Sequence, residues 1–177
     1  NTAWFRVLGR PWHGEHLEAP ERDVSPAYFK TLGAQLVRGR GFDEAEDATK
    51  PRVAIVNQAF ARRLFRGEDP IGQHLSFLSA TPVPIEIVGV VDDIRQGPLD
   101  ASIPPVLYLP FNQRTDSYFG IAVRTAQAAR SILPVLPGGI KPIAPDIIQI
   151  ARGPIPHRTR DSPSARRPLS SRALGDG

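Results

Sequence analysis

The alternation of apolar and polar positions along the chain predicts a series of short β-strands. Trp4–Leu8 alternates bulky residues with small or charged ones, as a half-buried strand does. Arg52–Val56 and Ile85–Val91 are rich in β-branched residues, and Val106–Leu109 lies between prolines. Phe119–Arg124 is a further run of strand length. We therefore expect strands over these five ranges.

Polar sequence after the first strand predicts a loop, and a short helix follows it. Pro11–Arg22 contains proline, glycine and histidine and is expected to form the loop. Ser25–Pro26 then offers a hydroxyl at the N-cap and a proline at the first helical position. Tyr28–Leu32 carries apolar residues at helical spacing, and Gly33 can end the helix in the left-handed conformation. A helix of about two turns is predicted here.

A second helix is predicted at Gln58–Phe65, directly after a strand. Asn57 is a suitable N-cap, and Gly67 with Asp69–Pro70 provides the stop signal. Its apolar residues share one broad face and its arginines face away, which indicates packing against a sheet. The predicted apolar face consists of Phe60, Ala61, Leu64 and Phe65, and the opposite face of Arg62 and Arg63.

The order strand, helix, strand predicts a βαβ unit within an α+β fold. If the two strands are parallel in one sheet, the crossover should be right-handed. Gly89 in the second strand indicates a close backbone approach. A weak helix at Gln127–Leu133 and a last apolar run at Ile147–Ile150 complete the predicted elements.

Composition narrows the classes of protein that this chain can belong to. Its 177 residues suffice for one domain or two small lobes. It has no cysteine, which excludes disulfides and thiolate metal sites, and no methionine, which suggests a processed or truncated product. No apolar run reaches the roughly 18 residues that a membrane helix needs.

The formal charge of +4 is confined to the end of the chain. Residues 152–177 hold six arginines and two aspartates, which accounts for the whole excess, so the remainder is neutral. A neutral body has no long-range attraction for nucleic acid, and none is predicted as a partner. The segment 151–177 is rich in Arg, Pro and Ser without periodicity and is predicted to be a disordered tail after a domain at 1–150.

The acidic pair Asp92–Asp93 is the first candidate for chemistry. Neighbouring side chains at a strand end point to opposite faces, so the pair is poorly placed to share a proton or a metal ion. The favoured interpretation is a strand end that turns into a loop with an Asx-type hydrogen bond.

Two other groups of residues are candidates for binding. His13 and His16 lie in glycine-containing polar sequence, which favours solvated loop histidines over metal ligands. Gly39–Arg40–Gly41 lacks the spacing and the lysine of a phosphate loop and favours a turn. The arginine-rich tail lacks aromatic residues for stacking on RNA. We therefore predict no catalytic residue, no cofactor-binding residue and no metal ligand.

Four strings of residues resemble the periplasmic core domain of MacB-type ABC transporter permeases, within the FtsX-like permease group. They follow the order that this family shows. The strings are Val24–Phe29 with Leu32–Gly33 and Leu36–Phe42; Val53–Ala61 with Leu64–Phe65 and Asp69–Gly72; Ile87–Arg95; and Val106–Phe111 with Val123–Thr125. The resemblance covers about residues 20–150 and is closest to the duplicated permeases of soil bacteria.

The resemblance implies a porter-like βαβ lobe with a second small mixed lobe. It implies a domain on the periplasmic side of the bacterial inner membrane, between two membrane helices, with a role in export or mechanotransmission. Its partners would be a separate ABC ATPase subunit, the permease membrane helices and periplasmic adaptor proteins. The family assigns no catalytic residue to this domain, so we expect no enzyme activity and no cofactor.

The end of the chain departs from this pattern. The family would continue after Ile150 with a linker and a membrane helix, whereas this chain has Arg-Pro-Ser-rich sequence, which suggests a truncated domain with a frameshifted tail. Two alternatives stay open: a free-standing periplasmic binding or interaction module, and a hydrolase with an unrecognised site. The first would lack an upstream membrane helix, and the second requires a pocket of convergent polar groups.

Overall fold

The computed structural model describes residues 1–79, 81–94, 102–114, 120–124 and 126. The chain divides into two compact units, Asn1–Arg124 and Thr125–Gly177, and the architecture below is that of the first. Three predictions lie outside the described residues: the helix at Gln127–Leu133, the apolar run at Ile147–Ile150 and the tail 151–177.

The first unit contains seven strands, two α-helices and a single 3₁₀ turn within its described residues. They are β1 (Thr2–Val7), β2 (Leu17–Val24), α1 (Tyr28–Leu32), β3 (Leu36–Gly39), β4 (Arg52–Asn57), α2 (Gln58–Phe65), β5 (His74–Phe77), β6 (Pro84–Val91), β7 (Leu107–Pro110) and the 3₁₀ turn Phe111–Gln113. Of the helices in this part of the chain, none has the length and apolar character that crossing a bilayer requires.

All seven strands belong to one sheet with the order β3-β6-β4-β7-β2-β1-β5. The strand β5 also pairs with β6, so six of the strands form a closed ring of pairings. Pairs β4/β6 and β2/β7 are parallel, and the other pairs are antiparallel. The strands β5 and β3 pair with different parts of β6. The strand β5 pairs with Pro84–Glu86, and β3 pairs with Gly89–Val91.

The predicted βαβ unit is confirmed, with β4 and β6 as parallel neighbours and α2 between them in sequence. The bounds of α2 match the prediction, and Asn57 caps it by accepting a hydrogen bond from Phe60 N. Gly89 also lies where a close approach was expected, since a Cβ there would sit 2.4 Å from the Arg40 carbonyl oxygen. The strand β5, which lies between α2 and β6, was not predicted.

Apolar side chains pack on both faces of the sheet. Along β4, Ala54 and Val56 join one cluster while Val53 and Ile55 join the other, as the alternation of a strand requires. The first cluster packs against α2, through side chains that include Phe60 and Phe65. The second is rich in aromatic rings: it contains Phe29, Phe42 and Tyr108. The mixed architecture with few helices confirms the predicted α+β class.

The loop predicted at Pro11–Arg22 is wrong in its second half, because β2 begins at Leu17. Proline misled the prediction, since it cannot donate to a ladder. Here Pro20 pairs with Thr2 of β1, and pairing with β7 starts one residue later, at Glu21. Pro20, which has no N–H, therefore lies just before the hydrogen-bonded pairing of β2 with β7 begins.

Two further predictions need correction. The strand at Phe119–Arg124 is wrong over 120–124, which has no strand conformation, and Phe119 is outside the described residues. The first helix starts later than predicted, because Tyr28 N bonds to the Ser25 carbonyl in a turn and Ala27 takes the N-cap position. Its predicted end is confirmed: Gly33 has φ of 71°.

Candidate functional site

At the N-terminus of α2, the side chain of Asn57 joins the end of β4 to the helix and to the segment that leads into β7. Its Oδ1 accepts hydrogen bonds from Phe60 N at 3.0 Å and from Val106 N at 2.9 Å. Its Nδ2 donates to the Pro104 carbonyl at 2.9 Å. Asn57 is fully buried, so these bonds satisfy a polar group that would otherwise be costly in the core. One amide thus fixes both the start of α2 and the segment that leads into β7.

The acidic pair at the end of β6 also contacts α2. Asp93 accepts a hydrogen bond from Ala59 N at 2.8 Å and an ion-pair bond from Arg62 at 2.6 Å. Asp92 accepts from Gln58 Nε2 at 3.1 Å. Both oxygens of Asp93 accept from α2, and residue 95, whose N–H a local Asx-type bond of Asp93 would use, lies outside the described residues. A carboxylate at this end of a helix is favourable because it faces the positive end of the helix dipole.

An open groove of about 460 Å³ lies beside this junction, between α2 and the segment 102–105. One wall is formed by α2, with Ala59, which is buried, and the exposed Arg62 and Arg63. The other wall contains Pro104 and its neighbours, which the bonds to Asn57 hold in place. The groove therefore combines a fixed apolar wall with guanidinium groups.

The charges around the groove are mainly positive. Arg62, Arg63 and the C-cap residue Arg66 are exposed on the same side of α2. Among these three arginines, Arg62 forms a salt bridge within the described residues, and its partner is Asp93. The Arg62 side chain remains 62% exposed in spite of that bond.

The histidine candidates lie away from this junction. His13 N donates to Glu15 Oε2 at 2.8 Å, and the His16 ring lies 5.0 Å from the Trp4 ring. Hydrogen bonds from the backbone N–H groups of Glu15 and His13 lower the pKa of Glu15. Across the part of the chain that the structure describes, no group of three or more His, Cys, Asp or Glu side chains could hold a metal ion.

Gly39 lies in β3 and Arg40 extends its pairing with β6, so the predicted turn at Gly39–Arg40–Gly41 is wrong. Gly39 ends β3, and Arg40 N continues along β6 by donating to the Val88 carbonyl at 2.9 Å. A Cβ on Gly39 would lie 2.2 Å from that carbonyl oxygen, and its φ of 73° also favours glycine. Gly39 and Gly89 allow the close contact between β3 and β6.

One ionisable core group has a strongly perturbed pKa. Burial raises the pKa of Tyr108 above its ordinary value, because a buried phenolate would lose its hydration. Its ring packs edge-on against Phe29, with the centroids 5.0 Å apart. The hydroxyl therefore stays protonated, and the surroundings are those of a packed core residue.

Sequence reasoning found Asn57 as a helix cap but missed its bonds to Pro104 and Val106. It also missed Gln113, whose buried amide accepts from Val53 N and donates to the Pro51 carbonyl. These partners are separated by about 50 to 60 positions along the chain. No local pattern of residues marks such a contact, so the sequence carried no signal for it.

Comparison with known proteins connects this architecture to a family. Residues 14–132 match the family model described as the MacB-like periplasmic core domain. The chain is 30% identical over 97 residues to the macrolide export ATP-binding/permease protein MacB 1/2 of Paracoccus denitrificans, across 55% of this chain and 14% of that protein. It is 27% identical over 85 residues to MacB of Marinobacter nauticus, across 48% and 13%.

Solved structures show the same fold. The periplasmic region of MacB from Actinobacillus actinomycetemcomitans has a TM-score of 0.53 at 18% identity, covering 81% of this chain and 63% of that one. The extracellular domain of the ABC-type transporter YknZ from Gram-positive bacteria has a TM-score of 0.51 at 21% identity, covering 75% and 64%. The chain spans about one seventh of the curated relatives' length and less than two thirds of these solved chains.

Proposed function

The chain belongs to the MacB-like periplasmic core domain family, and from this premise we propose that it works as the extracytoplasmic domain of an ABC transporter permease. In this role it couples a separate ATPase to export or mechanotransmission and performs no chemistry of its own. The curated relatives carry both ATP-binding and permease in their names, and this chain matches a small part of each.

The position of β1 in the sheet is the observation that best supports a mechanical role. This strand pairs with β2 through Thr2–Phe5 and with β5 through Phe5–Val7. The strand β5 pairs in turn with β6, whose end is bonded to α2 by Asp93. A displacement of the first strand would therefore pass through hydrogen-bonded neighbours to α2, as rigid elements transmit motion in other switching proteins.

The partners in this proposal are the permease membrane helices, a separate ABC ATPase subunit and periplasmic adaptor proteins. The domain would lie on the periplasmic side of the bacterial inner membrane. The division into a core domain at 1–150 and a tail at 151–177 stays a prediction.

A chimaera tests the proposal. The region of the Paracoccus denitrificans protein that aligns with this chain would be replaced by residues 1–124, and macrolide export and ATPase activity would be measured in membranes. We expect the chimaera to retain export above the level of a permease with that region deleted. A chimaera that inserts and hydrolyses ATP normally, but exports no better than the deletion, would contradict the coupling role.

A further inference from the structure

We propose that the groove beside α2 is a docking site for an acidic, extended polypeptide segment of a partner protein. The observations that carry it are the guanidinium groups of Arg62 and Arg63 on one wall and the fixed proline wall opposite them. The inference goes beyond the permease role and does not require it, since it depends on the chemistry of this surface alone.

The charge of the groove favours an acidic partner. The side chains of Arg63 and Arg66 are exposed and make no hydrogen bond or salt bridge to another side chain within the described ranges, and Arg62 keeps most of its side chain exposed. The charge excess is local, because the chain before its arginine-rich end is neutral overall. Guanidinium groups form strong paired hydrogen bonds with carboxylates, so side chains of Asp or Glu fit these donors.

The position of Arg62 is set before any partner binds. Its guanidinium is held by Asp93 at 2.6 Å and by Gln58 Oε1 at 3.3 Å, and these bonds reduce the entropy that docking would cost. Asp93 is itself fixed by Ala59 N. The guanidinium is therefore held in place beside the groove, and two of its five N–H donors are used by these bonds.

The opposite wall favours an extended polypeptide. Proline at 104 and 105 removes two backbone donors, and the Pro104 carbonyl is already bonded to Asn57, so this wall offers mainly apolar surface. A segment that alternates carboxylate and apolar side chains would match both walls at once, because alternate residues of an extended chain face opposite sides. A nucleic acid is disfavoured, since none of the described residues that line the groove is aromatic and could stack on a base.

The probe is a fluorescent, acetylated peptide of about eight alternating glutamate and proline residues, which is acidic and extended. Its binding to the full chain would be followed by fluorescence anisotropy. We expect Arg62→Gln/Arg63→Gln to weaken binding about tenfold, as the loss of two charge-assisted contacts implies. The single variant Arg63→Gln should show part of this loss with the Asp93 contact intact.

The matched control is Arg22→Gln/Arg52→Gln, which removes the same charge from exposed arginines on β2 and β4. It keeps the arginine-rich tail, so any binding by the tail is common to all variants. We expect the control to change affinity less than about twofold, the usual effect of distant surface charge. Circular dichroism would verify that every variant is folded.

Four outcomes would overturn the proposal. They are an absence of peptide binding, an equal loss in both double variants, equal binding of a matched lysine-proline peptide, and displacement of the acidic peptide by vesicles of phosphatidylglycerol and phosphatidylcholine in equal amounts. The last would assign the arginines to a lipid surface. A chemical-shift map confined to α2 and residues 102–106 would support the proposal.

Discussion

Asn57 shows how much of this structure depends on one side chain. It ends β4, caps α2 and fixes the entry to β7, using every oxygen and nitrogen position of its amide. A helix cap alone would need just one of these bonds. Because Asn57 is completely buried, the loss of any of these bonds would cost more stability, since water cannot replace the lost partner.

Replacing Asn57 with alanine is expected to destabilise the domain by about 3 kcal/mol or more, since a cap is lost and buried groups at Val106 and Pro104 lose their partner. Asn57→Ser should cost less, because a hydroxyl can still cap Phe60 N. Chemical denaturation of both variants measures the difference. Equal losses would mean that the cap on Phe60 N contributes nothing measurable, and an Asn57→Ser variant as stable as the wild type would mean the same of the bonds to 104–106.

Gly89 provides a second test at the level of one residue. A Cβ there would lie 2.4 Å from the Arg40 carbonyl oxygen, in a strand where both neighbours are fixed by pairing. Gly89→Ala should therefore destabilise the domain by about 1 to 3 kcal/mol, as overpacking does. The control is Gly41→Ala, where nothing lies within 4 Å of the added atom and stability should stay within about 0.5 kcal/mol. Similar thermal unfolding of the two variants would refute the steric explanation.

At the scale of elements, α2 is held at its first turn by contacts from outside the helix. Asn57 and Asp93 satisfy the N–H groups of Phe60 and Ala59, two of the donors that a helix start leaves free. Its apolar residues then pack on the sheet through Phe60 and Phe65. The helix has just eight residues, too few to be stable alone, so these tertiary contacts decide its existence.

Asp93→Ala should fray the start of α2. The loss of an N-terminal cap and of a favourable charge is expected to cost about 1 kcal/mol. Faster hydrogen exchange at Ala59 and its neighbours, with little change in the strands, would show that the effect is local. The control is Glu68→Ala, which removes an exposed ion pair with Arg10 beyond the other end of α2 and should leave that exchange unchanged.

At the scale of the molecule, the proposed coupling role requires that a separate ATPase, and not this domain, binds and hydrolyses ATP. Phosphate binding in nucleotide sites uses oriented backbone N–H groups, a lysine and a magnesium ligand. The chain has three lysines: Lys30 lies in α1, Lys50 precedes Pro51, and Lys141 is outside the described residues. None follows a glycine-rich phosphate loop in the sequence.

The purified chain is therefore expected neither to bind nor to hydrolyse Mg-ATP. Isothermal titration calorimetry and a phosphate-release assay measure both properties. Binding of about micromolar strength or measurable turnover would contradict the permease-domain proposal and favour an enzyme. A MacB-type ATPase measured in parallel would verify that the assay detects turnover.

The sequence by itself determined the parts of this protein that depend on neighbouring residues. It predicted β4, α2 and β6, because the β-branched runs, the Asn57 cap and the 3.6-residue periodicity are local signals. Order and spacing of its motifs also identified the family. Family membership in turn carried the expectation of a domain without catalytic residues.

The tertiary structure decided what depends on distant residues. The strands β3 and β5 have four residues each and gain their conformation by pairing with β6, while Pro20 could enter β2 because its nitrogen lies ahead of the second ladder. The contacts of Asp93 with α2 and of Asn57 with residues 104–106 join positions that no sequence period links. The sequence predicted that Arg62 and Arg63 face away from the sheet, but the groove beside them depends on how the segment 102–105 packs near α2, which only the folded chain decides.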